Sequence, residues 1–246
     1  MTFLTAMGYY GGYGMGYGYY FDPTMILVLI GAMLSMWASS RVNTTFARYS
    51  RVRSMTGMTG AQAAERLLHA QGIYDVSVGR VSGKLTDHYD PRTKTVNLSE
   101  SVYSSSSVAA IGVAAHECGH AMQDNEGYSP LRLRAAFVPL ANFGSTLSWP
   151  LIILGLIVSM PFLLKLGIWM FTLAVAFQLI TLPVEFNASR RAVNLLDSQG
   201  ILRGEEVDGT RKVLGAAALT YVAVAAASIL QLLRLVILFG NRNDRD

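Results

Sequence analysis

The stretch that decides how this chain is interpreted reads Ala114-Ala115-His116-Glu117-Cys118-Gly119-His120-Ala121. It contains the pattern H-E-x-x-H. On a helix of about 3.6 residues per turn, His116 and His120 lie one turn apart on one face, so both imidazoles can bind one zinc ion. Glu117 lies about 100° further around the helix, close enough to take a proton from a water whose pKa zinc lowers to about 7.

A chance match on a surface helix is the alternative, because only three of the five letters are fixed. The neighbouring residues 108–113 are small and apolar, which favours the metal. Histidine and glutamate are costly in such a helix unless something binds them. Cys118 points about 200° away from His116, and we interpret it as helix packing. We therefore expect one zinc ion per chain, bound by His116 and His120, with Glu117 as the general base.

The composition indicates a membrane protein. Of the 246 residues, 52% are hydrophobic and only 15% are charged, and the apolar residues lie in long runs. A net charge of +4 could suggest nucleic acid. The basic residues lie instead beside the apolar runs, where they set membrane topology. We expect the lipid bilayer and no nucleic acid as a partner, and the single cysteine excludes an internal disulfide.

Apolar segments predict four transmembrane helices. The single charge between residues 143 and 184 is Lys165, which we expect at the tip of a hairpin of two spans. Pro150, Pro161 and Pro183 are expected to kink these helices. The predicted segments are a Tyr/Gly-rich tail (1–22), a first span (23–40), a catalytic region (41–142), the hairpin (143–184), a segment with the third ligand (185–213), a last span (214–240) and a polar tail (241–246).

The distribution of basic residues predicts the orientation in the membrane. Residues 41–142 and 186–213 together hold 16 of the 20 Lys and Arg residues. The positive-inside rule therefore puts both segments, and the metal site with them, in the cytosol, and both termini outside. The Tyr/Gly-rich tail is interpreted either as disordered or as an interfacial or partner-binding segment.

The catalytic region is expected to combine helices with a small sheet. Thr59 as N-cap, Gln62 three residues later and Gly72 as a stop predict a capped helix. Short alternating segments at 76–81, 85–89 and 95–98 predict strands. The zinc helix is expected to begin near Ser107, which makes this region a small α+β core.

A third zinc ligand is expected from Glu185. The other histidines, His69 and His88, are weaker candidates. Glu185 ends an apolar run, where an unpaired carboxylate is costly. The alternative is that Glu185 only pairs with Arg190 or Arg191 at the membrane edge.

Four blocks of residues then match a known family. They are residues 85–91 (Leu-Thr-Asp-His-Tyr-Asp-Pro), 113–121 (Val-Ala-Ala-His-Glu-Cys-Gly-His-Ala), 181–192 (Thr-Leu-Pro-Val-Glu-Phe-Asn-Ala-Ser-Arg-Arg-Ala) and 216–223 (Ala-Ala-Ala-Leu-Thr-Tyr-Val-Ala). From the first span to Leu233 the chain resembles the bacterial YugP-like integral-membrane zinc metallopeptidases, the neutral zinc metallopeptidase family 2. More distantly it looks like the gluzincin membrane proteases, including the HtpX heat-shock protease and the CAAX prenyl protease.

This resemblance implies a membrane-embedded endopeptidase of the bacterial plasma membrane. Its substrates would be peptides or membrane proteins, with a role in membrane-protein turnover. The expected fold is mainly α, with about four transmembrane helices and a small cytosolic gluzincin-like zinc protease core. The gluzincin relatives use two histidines and a downstream glutamate, with an aspartate four residues after it. Ser189 occupies that position here.

Two further roles are predicted near the metal. Residues 85–89 (Leu85, Thr86, Asp87, His88 and Tyr89) are expected to form the edge strand that binds substrate, since their order resembles thermolysin-like folds. The alternative is an ordinary hairpin whose turn Asp87 and Asp90 hold. Tyr221 is expected to stabilise the oxyanion, with His88 and Arg190 as alternatives, or else to be an interfacial anchor.

Two other classes of function compete with the protease. One is a zinc-binding membrane scaffold without turnover. The other is a small transporter, suggested by four spans and by Arg234 within the last span. A transporter would have several polar groups at mid-membrane, whereas here they cluster at one end of the spans.

Overall fold

The computed structural model describes residues 22–240, so the polar tail and nearly all of the Tyr/Gly-rich tail lie outside the described residues. The described part is mainly helical. Its elements, in order, are α1 (Met25–Tyr49), α2 (Gly60–Ala70), β1 (Ser77–Val81), β2 (His88–Asp90), β3 (Thr95–Ser99), α3 (Glu100–Tyr103), α4 (Val108–Asn125), α5 (Ser129–Ile157), α6 (Pro161–Ser198) and α7 (Glu205–Phe239).

Four of these helices, α1, α5, α6 and α7, are long and apolar enough to cross a membrane. Their outer surfaces carry large apolar side chains that water would not tolerate in such number. Ile157 is 74% exposed and Trp169 is 69% exposed, for example. Lipid is the solvent that suits such a surface. α5 packs on α6, α6 on α7, and α7 on α1.

The turn of the α5–α6 hairpin lies at residues 158–160, so the prediction of a tip near Lys165 was wrong. Pro161 starts α6 because proline fits the first helical position, where its missing N–H is not needed. Lys165 therefore lies in the second turn of α6. Both helices continue through their internal prolines, α5 through Pro150 and α6 through Pro183.

The helices α6 and α7 extend well beyond the apolar runs. α6 continues past Glu185 to Ser198, and α7 begins at Glu205, ahead of the last apolar run. Their extensions pack on α4 and bury Leu196, Ile201, Leu202 and Val207. Helix α6 therefore lies against α4 at Glu185 and beyond it.

Residues 41–142, the predicted catalytic region, contain the three-stranded sheet and the helices around it. Thr59 accepts from Gln62 N at the start of α2, the capping box that the sequence predicted. The strand order is β1-β3-β2, with β1 parallel and β2 antiparallel to β3, so β2 forms an edge. Val96 and Leu98 of β3 point into a core shared with α2 and α4.

The predicted strand at 85–89 was wrong over its first half, because β2 begins only at His88. Leu85 adopts a φ of 55°, outside the extended region. The Thr86 hydroxyl donates to Ser82 O at 3.0 Å and closes a turn. Asp90 holds the next turn by accepting from Arg92 N at 2.9 Å. Asp87 accepts instead from Ser99 N at 2.7 Å.

Candidate metal centre

Helix α4 presents the H-E-x-x-H residues from a buried position. Ser107 caps it by accepting from Ala110 N at 3.2 Å. The small residues of its first turns let α2 and α6 pack against it. At Gly119, inside the motif, α6 approaches α4 closely, since a Cβ there would lie 2.7 Å from Ala188 O of α6. This contact brings α6, and Glu185 with it, to the two histidines.

His116, His120 and Glu185 converge on one point. Glu185 Oε2 lies 3.2 Å from His116 Nε2 and 3.6 Å from His120 Nε2. All three ligand atoms lie within 4.8 Å of one another. The Glu185 side chain is only 2% exposed, and a carboxylate buried this deeply needs cationic or metal partners.

The other nitrogen of each imidazole is held by a neighbouring polar group. His116 Nδ1 lies 3.1 Å from Ser189 Oγ, and His120 Nδ1 lies 3.0 Å from Gln123 Oε1. The Gln123 amide nitrogen is held in turn, because it donates to Val184 O at 2.9 Å. Both Nε2 atoms are thereby directed at the shared point, as in metal-binding histidines.

These three side chains fit a zinc ion. Two imidazoles and one carboxylate are a common zinc ligand set that keeps a fourth position open. Burial lowers the pKa of His120, but its hydrogen bond with Glu185 and the charges of Glu117 and Glu185 outweigh burial and raise it above its ordinary value. The surrounding carboxylates thus favour a positive charge at this point, which a divalent cation would supply. The structure thus brings together the predicted ligands His116, His120 and Glu185.

A cavity of about 460 Å³ opens on this cluster. Glu117 and Tyr221 both line it, as do Asp87, His88 and Tyr89 of the predicted substrate strand. Leu85 and Thr86 do not line it, and Arg190 lines a different cavity between α6 and α7. The remaining lining residues are Pro91, His116, His120, Gln123, Asp124, Gly127, Leu131, Arg132, Arg134, Ala135, Val138 and Glu185.

Arg134 is a site residue that the sequence reasoning missed. Its Nη1 lies 3.2 Å from Glu185 Oε1, the carboxylate oxygen turned away from the histidines. Arg134 therefore satisfies the second half of a buried carboxylate. Its position in the sequence could have indicated this role, because Arg134 lies shortly before an apolar run. A cation there is costly unless an acidic group pairs with it.

His88 lies in the cavity wall with both ring nitrogens near other groups. Nδ1 lies 2.8 Å from Thr86 O, and Nε2 lies 3.4 Å from the side-chain nitrogen of Asn97. Since a nitrogen that hydrogen bonds to a carbonyl must carry the proton, Nδ1 is the donor and Nε2 is the acceptor. His88 thus has no N–H directed at the metal cluster.

Asp124 connects the edge strand to the metal-site helix. Its Oδ2 accepts from the Tyr89 hydroxyl at 2.8 Å and from Lys94 Nζ at 2.7 Å. Burial tends to raise the pKa of Asp124, but these two hydrogen bonds hold it below its ordinary value. Burial and the Asp124 carboxylate raise the pKa of Tyr89. The contact holds β2 at the side of the cavity.

The described residues contain four apolar helices and a cluster of His116 and His120, from the H-E-x-x-H motif, with Glu185 from α6. These features are typical of a membrane protein with a zinc-peptidase type of site. The chain belongs to the family described as "Putative neutral zinc metallopeptidase", which it matches over residues 24–240. The family expected from the sequence is thereby confirmed.

One curated relative is the "Putative membrane protease YugP" of Bacillus subtilis (strain 168). The two chains are 49% identical over 222 residues, which cover 90% of this chain and 99% of the relative. No solved structure matches the chain significantly. The more distant likeness to HtpX stays a prediction.

Proposed function

We propose that this protein is a membrane-embedded zinc endopeptidase whose site faces the cytosol. The observation that carries the proposal is the convergence of His116, His120 and Glu185 beside Glu117, at the wall of an open cavity. One zinc ion per chain would be held by the two Nε2 atoms and by Glu185 Oε2. When bound, zinc would supply a Lewis acid that activates water and polarises a peptide carbonyl.

Glu117 is the proposed general base. It follows His116 on the same helix, is only 8% exposed and lines the cavity. A carboxylate in this position can take the proton of the attacking water and pass it to the leaving amine. Its burial beside the ligands keeps bulk water from competing for that proton.

The edge strand β2 is the proposed binding surface for an extended substrate. Among the described strands it pairs only with β3, so its other edge is available for backbone hydrogen bonds. His88 and Tyr89 lie in the cavity wall, and Asp87 precedes them. Pairing through the backbone would bind many sequences, which suits a protease with broad specificity. Leu85 and Thr86 lie outside this proposed surface.

Two donors can stabilise the negative charge on the peptide oxygen. The Tyr221 hydroxyl on α7 and the Arg134 guanidinium on α5 both line the cavity. Arg134 forms an ion pair with Glu185, and the Tyr221 hydroxyl also lies close to that carboxylate. Arg134 is needed to neutralise Glu185, so Tyr221 is the preferred candidate for the substrate oxygen. His88 is the weaker candidate, because it would first have to release Thr86 O.

The depth of the site supports a substrate at the membrane surface. At about 1.5 Å per residue, Arg134, Glu185 and Tyr221 each lie roughly 27–36 Å from the far end of their helices. The hydrocarbon core of a bilayer is about 30 Å thick. All three residues would then lie at one membrane face, within reach of juxtamembrane segments, which supports a role in membrane-protein turnover. The excess of Lys and Arg on that side favours the cytosol.

The rival functions have less support. Arg234 suggested a transporter, but its Nη2 lies 2.8 Å from Asp22 Oδ2 and its Nε lies 3.2 Å from the Thr24 hydroxyl. These contacts connect the start of α1 to the last turns of α7. They explain Arg234 without a transported substrate. A zinc-binding scaffold has no use for a carboxylate beside the ligands in an open cavity, where Glu117 lies.

The decisive experiment compares Glu117→Gln and His116→Ala with the wild type. Zinc content is measured by elemental analysis and cleavage by a fluorescent casein or peptide assay. Glu117→Gln is expected to retain zinc and lose nearly all cleavage, because only the proton acceptor is removed. His116→Ala is expected to lose both.

Glu65→Gln is the matched control, because it removes an exposed carboxylate from α2. Cleavage by Glu117→Gln at the wild-type rate would contradict the mechanism. Zinc-loaded wild type that cleaves neither soluble nor membrane substrates would favour the scaffold.

A further inference from the structure

A second cavity lies between α1 and α7, away from the metal cluster. Its volume is about 550 Å³. The residues that line it are Trp37, Ser40, Arg41, Thr44, Thr45, Arg48, Tyr49, Lys212, Gly215, Ala216 and Leu219. On α1 these residues follow the apolar run, and on α7 they precede Tyr221. The cavity therefore lies at the same membrane face as the metal site.

The lining of this cavity is suited to an anion with an apolar part. Three cations, Arg41, Arg48 and Lys212, come from two different helices. No carboxylate lines the cavity. Ser40 and Thr44 add hydroxyl donors, while Trp37 and Leu219 supply apolar surface. Guanidinium and ammonium groups bind phosphate through charge-assisted hydrogen bonds, and the three cations are exposed and so accessible to a head group.

The three cations have no carboxylate partner within residues 22–240. No carboxylate oxygen lies within 4 Å of Arg41, Arg48 or Lys212, whereas other cations of the chain, such as Arg191 and Arg234, are paired. Repulsion between like charges around one cavity is unfavourable unless an anion offsets it.

The acidic residues beside this cavity offset its positive charge only in part. Glu205, Glu206 and Asp208 line a neighbouring cavity that also includes Arg48 and Lys212. Glu206 Oε1 accepts from Met55 N at 2.6 Å, and Asp208 pairs with Arg211 at 2.5 Å. Glu206 accepts only from neutral backbone N–H groups and keeps its negative charge, so Glu205 and Glu206 together leave one of the three positive charges without an acidic counterpart.

We propose that this cavity binds the head group of an anionic phospholipid from the surrounding leaflet. Arg41, Arg48 and Lys212 would contact the phosphate, and the acyl chains would lie against the apolar surface that begins at Trp37 and Leu219. Basic pockets between transmembrane helices at the cytosolic face are typical sites for such lipids. Membrane topology alone would require basic residues at this level, but not their convergence on a cavity between two helices.

A lipid titration of the full-length, zinc-loaded protein in an uncharged detergent tests this proposal. Native mass spectrometry gives the apparent dissociation constants of phosphatidylglycerol and of phosphatidylcholine with the same acyl chains. Phosphatidylglycerol is expected to bind at least about tenfold more tightly. Glycerol phosphate and inorganic phosphate are the competing soluble anions, and neither is expected to displace it at similar concentrations.

Substitutions identify the cavity as the site. Arg41→Gln and Lys212→Gln, on different helices, are each expected to weaken phosphatidylglycerol binding about fivefold, the effect of one cation near an anionic phosphate. Lys212→Arg, which keeps the positive charge, should bind phosphatidylglycerol as tightly as the wild type. Arg53→Gln and Arg203→Gln remove exposed cations outside the cavity and should change binding less than twofold. Unchanged zinc content shows that each variant is folded.

Three results would overturn the proposal. Equal affinity for phosphatidylcholine and phosphatidylglycerol would show that the negative charge of the lipid does not contribute to binding. An equal loss in Arg53→Gln or Arg203→Gln would indicate general attraction of lipid to a basic surface. Displacement by glycerol phosphate at comparable concentrations would identify a free phosphate, and not a lipid, as the ligand.

Discussion

Ser189 Oγ lies 3.1 Å from His116 Nδ1, one turn of α6 beyond Glu185. One helix face therefore supplies both a candidate zinc ligand and a group that orients another ligand. The gluzincin proteases, to which the sequence predicts a distant likeness, have an aspartate at this position. A serine can make the same contact without adding a negative charge to a site that already contains Glu117 and Glu185.

Ser189→Ala is expected to weaken zinc binding by about 10- to 100-fold, because the His116 ring loses the group that holds its orientation. Zinc affinity is measured by competition with a chelator. Ser189→Asp should bind zinc at least as well as the wild type. Ser198→Ala, an exposed position further along α6, is the control. Wild-type affinity in Ser189→Ala would show that the contact does not orient the ligand.

Tyr221→Phe is expected to lower kcat by about 100-fold while zinc content stays unchanged, because only the donor to the developing oxyanion is lost. Steady-state kinetics with a peptide substrate measure the effect. Tyr74→Phe, at a residue that is 75% exposed, is the control. A change within twofold would leave Tyr221 as a packing residue, and Arg134→Lys would then be the next variant to test.

Asp124→Asn is expected to raise KM and to reduce the free energy of unfolding by about 1 kcal/mol, because β2 loses its charged partner on α4. The lowered pKa of Asp124 fixes the sign of the pH dependence. Its stabilisation is present above the ordinary range near pH 4 and is lost as the pH falls through the lower folded value.

Denaturant titrations at pH 7 and pH 3, together with kinetics, measure this effect. Asp197→Asn, an exposed residue near the end of α6, is the control. An unchanged KM in Asp124→Asn would show that β2 does not need this contact to bind substrate.

The topology is tested by cysteine labelling in a Cys118→Ser background. Ser82→Cys, in the exposed β1–β2 turn, should react with an impermeant reagent only after the cells are opened. Ser159→Cys, in the exposed α5–α6 turn, should react in intact cells. Labelling of Ser82→Cys from outside would reverse the proposed orientation.

Local patterns of the sequence were sufficient to predict that four membrane helices exist, but not their full lengths, and to predict part of the site. The spacing of His116 and His120 predicts a shared helix face because helix periodicity depends only on nearby backbone. The Thr59–Gln62 capping box is local in the same sense. Apolar runs predict membrane helices because the bilayer imposes a minimum length on each span.

Only the tertiary structure decided where the strand and the hairpin turn begin. The alternating pattern of residues 85–89 suits a strand, but the hydrogen bond from the Thr86 hydroxyl to Ser82 O bends the chain at Leu85. The α5–α6 turn lies ahead of Lys165, since Pro161 can start a helix and the apolar pattern does not change between them. In the first case one side-chain hydrogen bond, and in the second a proline at the start of a helix, outweighs the average tendency of the segment.

The residues that surround the metal cluster could also be identified only from the folded chain. Arg134, Ser189 and Gln123 contact ligands or groups on other helices, so no periodicity in one segment can reveal them. Their contacts depend on how closely the helices pack. The approach of α4 and α6 at Gly119, where no side chain intervenes, sets that distance, and it couples residues about 70 positions apart in the sequence.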